Sequence, residues 1–220
     1  MRNVELSLSR FASLPRLPCM ARIESLPAAG SGLFVRFIYR VARRRFGRVP
    51  APVGITAHHR WVLAAMSGYE VAFEKARAVD PRLKELAMLK VATEVGCRFC
   101  IDIGSAIGKG RGVTEEQLRD LPDYIDSEHF SRLEKRILDF AVHMTRTPQT
   151  VSDELFACLS AQLGTHALVE LTAAIAWENY RARFNHAVGA KEEGYTKGEL
   201  CLLSASREPS RLPATTPLSS

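Results

Sequence analysis

Cys97 and Cys100, two cysteines separated by two residues, are the side chains of this sequence best suited to do chemistry. On a helix, positions three apart share one face, with Cβ atoms about 5–6 Å apart, and a small adjustment then permits a disulfide. Gly96 is expected to end one helix, so Cys97 should lie at the N-terminus of the next. Unpaired N–H groups and the helix dipole there favour thiolate, the form that attacks a peroxide or a disulfide. The pair is therefore predicted to be a redox-active dithiol.

Two other interpretations of this pair stay open. A structural zinc site would need a second pair of cysteine or histidine ligands at suitable spacing. The remaining cysteines, Cys19, Cys158 and Cys201, stand alone, and His58 and His59 are adjacent. Free cysteines also pack well as small apolar side chains, so both members of the pair could be inert core residues. A thioredoxin fold is excluded because no βαβ pattern surrounds the motif. No metal or organic cofactor is predicted.

Helical periodicity and capping signals run through most of the chain, and no strand-like alternation persists for more than a few residues. Helices are predicted at about 33–46, after Thr56, from Asp80-Pro81 to Gly96, from Cys97 to the 108–112 region, after Thr114, through 133–144, after Ser152 as far as Gly164, from Thr165, and after Thr196. The fold is therefore predicted to be all-α, with a single compact helical domain over residues 31–203.

The ends of the chain differ in composition from this predicted domain. Residues 1–30 are rich in Ser, Pro, Leu and Arg without sustained periodicity, and are predicted to be a loose leader, with Met20 as an alternative start. Residues 204–220 contain three prolines among Ser and Thr and are predicted to be a disordered tail. Neither a signal peptide nor an apolar run of about 18 residues is evident, so a cytoplasmic location is expected.

The net charge of this 220-residue chain is +6, and its distribution is uneven. Residues 1–48 contain ten arginines, no lysine and two glutamates and so carry +8, which leaves −2 for the remainder. Because the domain itself is not basic, no nucleic-acid partner is predicted. The hydrophobic content of 46% and charged content of 25% are typical of a soluble globular protein.

The helix predicted at 33–46 is amphipathic. Its apolar residues are Leu33, Phe34, Phe37, Ile38 and Val41, and its arginines on the opposite side are Arg36, Arg40, Arg43 and Arg44. This pattern is seen in helices that lie on a membrane surface, and also in helices that dock an apolar face on their own domain or on a neighbouring subunit. Docking is the preferred interpretation, because the −2 charge of the remainder permits pairing with the arginines.

Glu85, followed after eleven residues by Cys97-Arg98-Phe99-Cys100, resembles the signature of the alkyl hydroperoxidase D-like branch of the carboxymuconolactone decarboxylase family. The segments "ELAMLKVATEVGCRFCIDIGSA" and "AWENYRARFNHAVG" are similar to family sequence, and the resemblance covers about residues 55–190. It implies an all-helical fold, a homo-oligomer such as a trimer or hexamer, and thiol peroxidase or disulfide reductase activity. It also implies that Cys100 is the peroxidatic sulfur, that Cys97 is the proton donor and resolving thiol, and that Glu85 begins a proton relay.

One position departs from the family pattern, which places a histidine four residues after the second cysteine, where this chain has Gly104. In a helical hairpin that turns at Gly96, Glu85 lies about 16 Å from the turn, position 104 about 12 Å and Cys100 about 6 Å. Glu85 and Cys100 therefore cannot touch, and water or another side chain must bridge them. The candidate side chains are Asp102, Ser105, His58, His59 and His186. Gly104 and Gly108 are interpreted as positions where a neighbouring helix packs closely.

Three functional hypotheses follow. The first is a thiol peroxidase that reduces a small hydroperoxide and is recycled by an unidentified thiol reductant. The second is a redox-sensing or structural protein with little turnover, because the family's relay histidine is replaced by Gly104. The third is the family's lactone decarboxylase chemistry, which is the least favoured because that branch typically lacks the cysteine pair.

Overall fold

The computed structural model describes residues 21–196, which form helices and irregular connections without a β-strand. The helices of this part of the chain are α1 (Leu33–Phe46), α2 (Ala51–Thr56), α3 (Arg60–Lys75), α4 (Pro81–Val95), α5 (Arg98–Gly110), α6 (Glu115–Asp120), α7 (Arg132–Thr145) and α8 (Asp153–Val188). The predicted all-α class is confirmed. Most of the predicted leader, the helix expected after Thr196 and the predicted tail lie outside the described residues.

Local sequence signals account for most helix ends. Asp80 caps α4 by accepting a hydrogen bond from the Arg82 backbone N–H, and Pro81 is its first residue. Gly96 ends α4 in the left-handed conformation, with φ of 74°. The Thr114 and Ser131 side chains each form a capping box at the start of α6 and α7. The sequence predicts the ends at Asp80, Gly96 and Thr114, because each of these signals acts within one turn of chain. The capping box at Ser131 was not predicted.

One predicted helix start differs from the structure, and one predicted break is confirmed. Thr56 does not cap a helix but ends the short α2, where its hydroxyl donates to the Pro52 carbonyl; His59 caps α3 instead, with Nδ1 accepting from the Val62 N–H. The predicted break at Gly164 is confirmed, because its φ of 75° and ψ of 161° are not helical and α8 consists of two helical parts joined there by a kink. A glycine can adopt such a conformation without ending the packing of the flanking turns.

Helix α1 has the predicted bounds, but its buried face is not the predicted one. Val35, Tyr39 and Ala42 face the domain, and the Tyr39 hydroxyl donates to the Leu26 carbonyl at 2.6 Å. Four residues of the expected apolar face are instead exposed, namely Leu33, Phe34, Phe37 and Val41, with Leu33 83% and Phe37 61% accessible. These four side chains therefore do not dock on the domain itself, and docking of this face on a neighbouring subunit stays a prediction. No helix in residues 21–196 is long and apolar enough to cross a membrane.

Helix α4 is the centre of the domain and packs against α5, α7 and α8. Residues 84–92 are buried without interruption, so the helix is enclosed on all sides. Each fully buried aliphatic side chain, such as Leu86 or Leu89, contributes about 1.5–3 kcal/mol to stability. The charged residues of the same segment cannot reach water, and Lys84 accordingly pairs with Glu170. Glu85 is buried in the same way, and this burial controls whether its carboxyl group is protonated.

Candidate functional site

Cys97 and Cys100 form a disulfide bond at the start of α5, with Cα atoms 5.3 Å apart. Cys97 is the N-cap of the helix, and its sulfur accepts a hydrogen bond from the Cys100 backbone N–H at 3.2 Å. The left-handed turn at Gly96 brings α5 back along α4. Local geometry thus places both sulfurs at a helix N-terminus, where the helix dipole stabilises negative charge on sulfur.

The disulfide is buried, since Cys97 is 2% and Cys100 7% exposed. Part of its cover is the segment 190–196, whose Ala190 and Tyr195 pack against the cysteine cluster. Asp102 holds this segment by accepting hydrogen bonds from the backbone N–H groups of residues 193, 195 and 196 and from the Thr196 hydroxyl. Burial opposes ionisation of Asp102, but these hydrogen bonds hold its pKa below the usual range. Asp102 therefore anchors the cover, and it is not a proton carrier for Cys100.

Asn185, near the end of α8, is the polar side chain that contacts the sulfur of Cys100. Its Nδ2 donates to Cys100 Sγ at 3.3 Å, and the residue is 4% exposed. Its Oδ1 is buried and has no hydrogen-bond partner among residues 21–196. Asn185 was not identified as a site residue from the sequence. The available signal was the spacing of Glu178, Arg181 and Asn185, which places three polar residues on one face of a largely apolar helix.

Glu85 lies deeper between α4 and α5, one to two helical turns beyond Cys100. Its Oε1 is 3.5 Å from where a Cβ of residue 104 would stand, and its Cγ is 3.5 Å from the corresponding point at Gly108. The carboxylate accepts a hydrogen bond from Arg111 Nη1 at 2.8 Å. This arrangement agrees with the hairpin geometry, in which Glu85 lies beyond the level of position 104 and does not touch Cys100.

Gly104 and Gly108 allow α4 to pack closely against α5. A Cβ at position 104 would stand 3.0 Å from Leu89 Cδ2, and one at position 108 would stand 3.3 Å from Leu89 Cδ1. A histidine at position 104 would therefore have to displace Leu89, which is 1% exposed. The absence of the family's histidine is consistent with this packing.

A network of buried and partly buried charges extends from Glu85 towards α3 and α8. Arg181 donates to Glu178 and, at 2.7 Å, to Glu70, which also accepts from Trp177 Nε1 at 2.9 Å. Burial raises the pKa of Glu178, and it raises the pKa of Glu85 to about 7 even though nearby Arg111 and Arg181 lower it. Glu85 is thus close to half-protonated at neutral pH and able to give or take a proton.

The other sequence candidates for the relay lie in different surroundings. His58, His59 and His186 are exposed, and His59 is occupied as the cap of α3. Ser105 is buried, and its hydroxyl has no hydrogen-bond partner among residues 21–196. In the same part of the chain, no three His, Cys, Asp or Glu side chains are grouped so that they could hold a metal ion. Asn185 is therefore the polar side chain that contacts Cys100, and Ser105 is a buried hydroxyl on the same helix as Cys100.

Glu85→Gln is expected to change how stability depends on pH. A glutamate with a folded-state pKa of about 7 keeps its proton between about pH 4.3 and 7, where the unfolded chain has lost it, so the wild type loses stability as pH rises through this window. Glutamine does not titrate. Urea unfolding should therefore show the variant gaining about 2–3 kcal/mol relative to wild type between about pH 5 and pH 8.

Glu134→Gln is the matched control for this measurement. Glu134 is also buried, but hydrogen bonds from Ser131 and the ion pair with Arg82 hold its pKa below the usual range in spite of burial. Its charge is constant over the same pH interval, so the stability difference from wild type should not change there. A pH-independent difference for Glu85→Gln as well would contradict the assigned protonation of Glu85.

Sequence comparisons identify relatives of this chain. Residues 59–142 match the model of the carboxymuconolactone decarboxylase family. The uncharacterized protein YnjA of Escherichia coli (strain K12) is 32% identical over 153 residues, which cover 69% of this chain and 84% of YnjA. The uncharacterized protein YdfG of Bacillus subtilis (strain 168) is 27% identical over 118 residues, covering 53% of this chain and 80% of YdfG.

Solved structures share the fold at low sequence identity. The debrominase Bmp8 superimposes with a TM-score of 0.73 at 18% identity, covering 82% of this chain and 97% of Bmp8. The alkylhydroperoxidase AhpD core of a peroxidase-related protein from Ralstonia eutropha JMP134 superimposes with a TM-score of 0.72 at 17% identity, covering 80% of this chain and 94% of that protein. The matched sequence and the shared helical architecture together show that this chain belongs to the carboxymuconolactone decarboxylase family, with an alkyl hydroperoxidase D-like fold.

Proposed function

We propose that this protein is a thiol-dependent peroxidase that cycles Cys97 and Cys100 between dithiol and disulfide. The observation that carries the proposal is the disulfide itself. It forms at a helix N-terminus, and each of its sulfurs accepts a hydrogen bond from an N–H group. A protonatable carboxyl, Glu85, lies deeper in the same interface. The fold is shared with a peroxidase-related protein, which is consistent with this assignment.

The proposed reaction has three steps. The Cys100 thiolate attacks the terminal peroxide oxygen of a small hydroperoxide; the O–O bond breaks, Cys100 becomes a sulfenic acid, and the leaving alkoxide takes a proton to form an alcohol. The Cys97 thiol then attacks the sulfenic sulfur, forming the disulfide and releasing water. An external dithiol finally reduces the disulfide and is itself oxidised. The proposed cycle uses no metal or organic cofactor.

The proton transfers are assigned to groups along the α4–α5 interface. Asn185 donates to Cys100 Sγ and would stabilise the thiolate, because a hydrogen bond to a charged acceptor is stronger than one to a neutral acceptor. Protonated Glu85 is the proposed source of the proton for the alkoxide. Since Glu85 lies one to two turns beyond Cys100, water beside Ser105 is the proposed bridge in place of the family's histidine.

A second candidate function is redox sensing with little turnover. The burial of the disulfide favours it, because a reductant cannot reach sulfurs that are 2% and 7% exposed unless the covering segment 190–196 moves. The missing histidine at position 104 would also slow proton transfer, by about 10²–10⁴ if no group replaces it.

Oxidation of the fully reduced protein by one equivalent of hydrogen peroxide or tert-butyl hydroperoxide tests the proposal. Thiol titration should show a loss of two thiols per chain, and excess dithiothreitol should sustain many turnovers. Disulfide formation without sustained turnover would favour the sensor, and unchanged thiol content would exclude both functions. The same assay with 2,3,4-tribromopyrrole, the ligand in a solved structure of a Bmp8 variant, tests an alternative class of substrate.

A homo-oligomer, a trimer or hexamer, is part of the same proposal. The isolated chain exposes large apolar side chains on α3 and α8, including Trp61 at 67%, Val169 at 63% and Val71 at 55%. Contacts between subunits would remove this surface from water. Light scattering is therefore expected to give a mass that is a multiple of 24.4 kDa at micromolar concentration. A stable monomer would contradict this part of the proposal.

A further inference from the structure

A cavity of about 600 Å³ lies between α1 and the turn that precedes it. The turn side is formed by the small residues 28–30, where Gly30 has φ of 80° and no atom lies within 4 Å of the point a Cβ would occupy. Tyr39 lines the cavity as well, and its hydrogen bond to the Leu26 carbonyl ties α1 to the segment that leads into this turn. The volume falls in the range of small-molecule sites, about 300–1,000 Å³.

The helix side of the cavity consists of the arginines at positions 36, 40, 43 and 44. They span about 12 Å along α1 and are all exposed. None of the four has an ion pair or a side-chain hydrogen bond within residues 21–196, whereas the next arginine, Arg45, pairs with Glu74. The described part of the chain therefore supplies no counter-charge to this side of the cavity.

The helix dipole favours the positions of only two of these four arginines. Arg43 and Arg44 lie in the last turn of α1, where cations are favourable. Arg36 lies in the first turn, where a cation is unfavourable, and Arg40 is in the middle of the helix. Four cations on one cavity wall repel each other, and a bound anion would relieve that repulsion. The planar guanidinium groups match the paired oxygens of phosphate.

We propose that this cavity binds an anion that carries two or more phosphate groups, held by Arg36, Arg40, Arg43 and Arg44. The phosphates could belong to a soluble organophosphate or to a phospholipid head group; in the second case the exposed Leu33 and Phe37 of the same helix would contact acyl chains. The site is separate from the proposed redox centre, because none of its lining residues belongs to the cluster around Cys97 and Cys100.

Calorimetric titration with sodium tripolyphosphate tests the site on the full chain. Wild type is expected to bind in a saturable manner with one site per chain. The double variant Arg40→Gln/Arg43→Gln should bind at least about tenfold more weakly, since hydrogen bonds between charged groups are lost. The control Arg77→Gln/Arg132→Gln removes the same charge from exposed positions outside the cavity and should change the affinity by less than about twofold. Equal weakening in both variants would overturn the proposal, because binding would then follow net charge alone.

Sedimentation with vesicles separates the two sources of phosphate. Arginine-dependent binding to vesicles that contain cardiolipin, whose head group carries two phosphates, but not to phosphatidylcholine vesicles, would identify a lipid head group. Tripolyphosphate binding alone would identify a soluble ligand. Absence of arginine-dependent binding to both probes would overturn the proposal. Thermal unfolding of the double variant should match that of wild type. Its response to hydroperoxide should also be unchanged, so this test fails or succeeds independently of the proposed peroxidase.

Discussion

Cys100→Ser is expected to abolish peroxide-driven turnover, with a loss of at least about 10³-fold in rate, because serine cannot supply the sulfur that accepts the peroxide oxygen. The measurement is hydroperoxide consumption in the presence of excess dithiothreitol. Cys97→Ser should also stop turnover but leave the first step intact, so that Cys100 accumulates as a sulfenic acid. Intact-mass analysis with a sulfenic-acid trap should detect one modification per chain.

Cys158→Ser is the control for both variants. Cys158 is a half-buried free cysteine on α8, outside the cluster around the disulfide, and its replacement should leave turnover unchanged. Asn185→Leu should give an intermediate effect, moving the pH profile of Cys100 alkylation to higher pH through loss of the donor at 3.3 Å. If peroxide instead produced only over-oxidised Cys158 or Cys201, the assignment of Cys100 as the reactive sulfur would be wrong.

The largest effect on stability is expected for Arg181→Met. Arg181 connects α3 and α8 by pairing with Glu70 and Glu178, and its removal leaves the buried Glu178 carboxylate without a counter-charge. Breaking such a pair costs about 3–5 kcal/mol; we expect about 3 kcal/mol, because the Arg181 side chain is 26% exposed. Chemical denaturation at about pH 8 measures this loss directly.

The pH dependence of the same variant distinguishes lost charge pairing from lost packing. Without Arg181 the pKa of Glu178 should rise further, so the folded state would hold a proton that the unfolded chain releases above about pH 4.3. The destabilisation should therefore be larger at about pH 8 than at about pH 5, and Glu178→Gln in the same chain should reverse part of it. Arg77→Met, at an exposed arginine, should cost less than about 0.5 kcal/mol. A pH-independent loss for Arg181→Met would indicate packing alone.

How much of this protein could be predicted from its sequence depends on the range of the interaction involved. Helix starts at Asp80, Thr114 and Ser152 were predictable, because a capping side chain and the backbone N–H that donates to it lie within one turn of chain. The proximity of the two sulfurs could also be predicted, because the cysteines are three residues apart at one helix N-terminus. The helical hairpin of α4 and α5 followed from Gly96, and helix geometry alone placed position 104 between the levels of Glu85 and Cys100.

The orientation of α1 could not be predicted in this way. A helical wheel shows which residues share a face, but it does not show which face is buried. Val35 and Tyr39 are buried because they pack in one apolar cluster with Ala57 and Leu63, and the Tyr39 hydroxyl donates to the Leu26 carbonyl. The exposure of Leu33, Phe34, Phe37 and Val41 is a consequence of this packing, and so is the arginine-lined cavity beside α1. Both depend on packing between separate segments, which periodicity within one helix does not determine.

By itself, the sequence determined the all-α class, most helix boundaries and the cysteine pair at the start of α5. Only the tertiary structure decided that Asn185 contacts Cys100, 85 residues earlier in the chain, and that Glu85 is enclosed with Arg111 beside it. The physical reason is that protonation and hydrogen bonding in a buried site depend on which groups from distant helices replace water. Desolvation of Glu85 raises its pKa to about 7, and that desolvation exists only once α4, α5 and α8 have packed together.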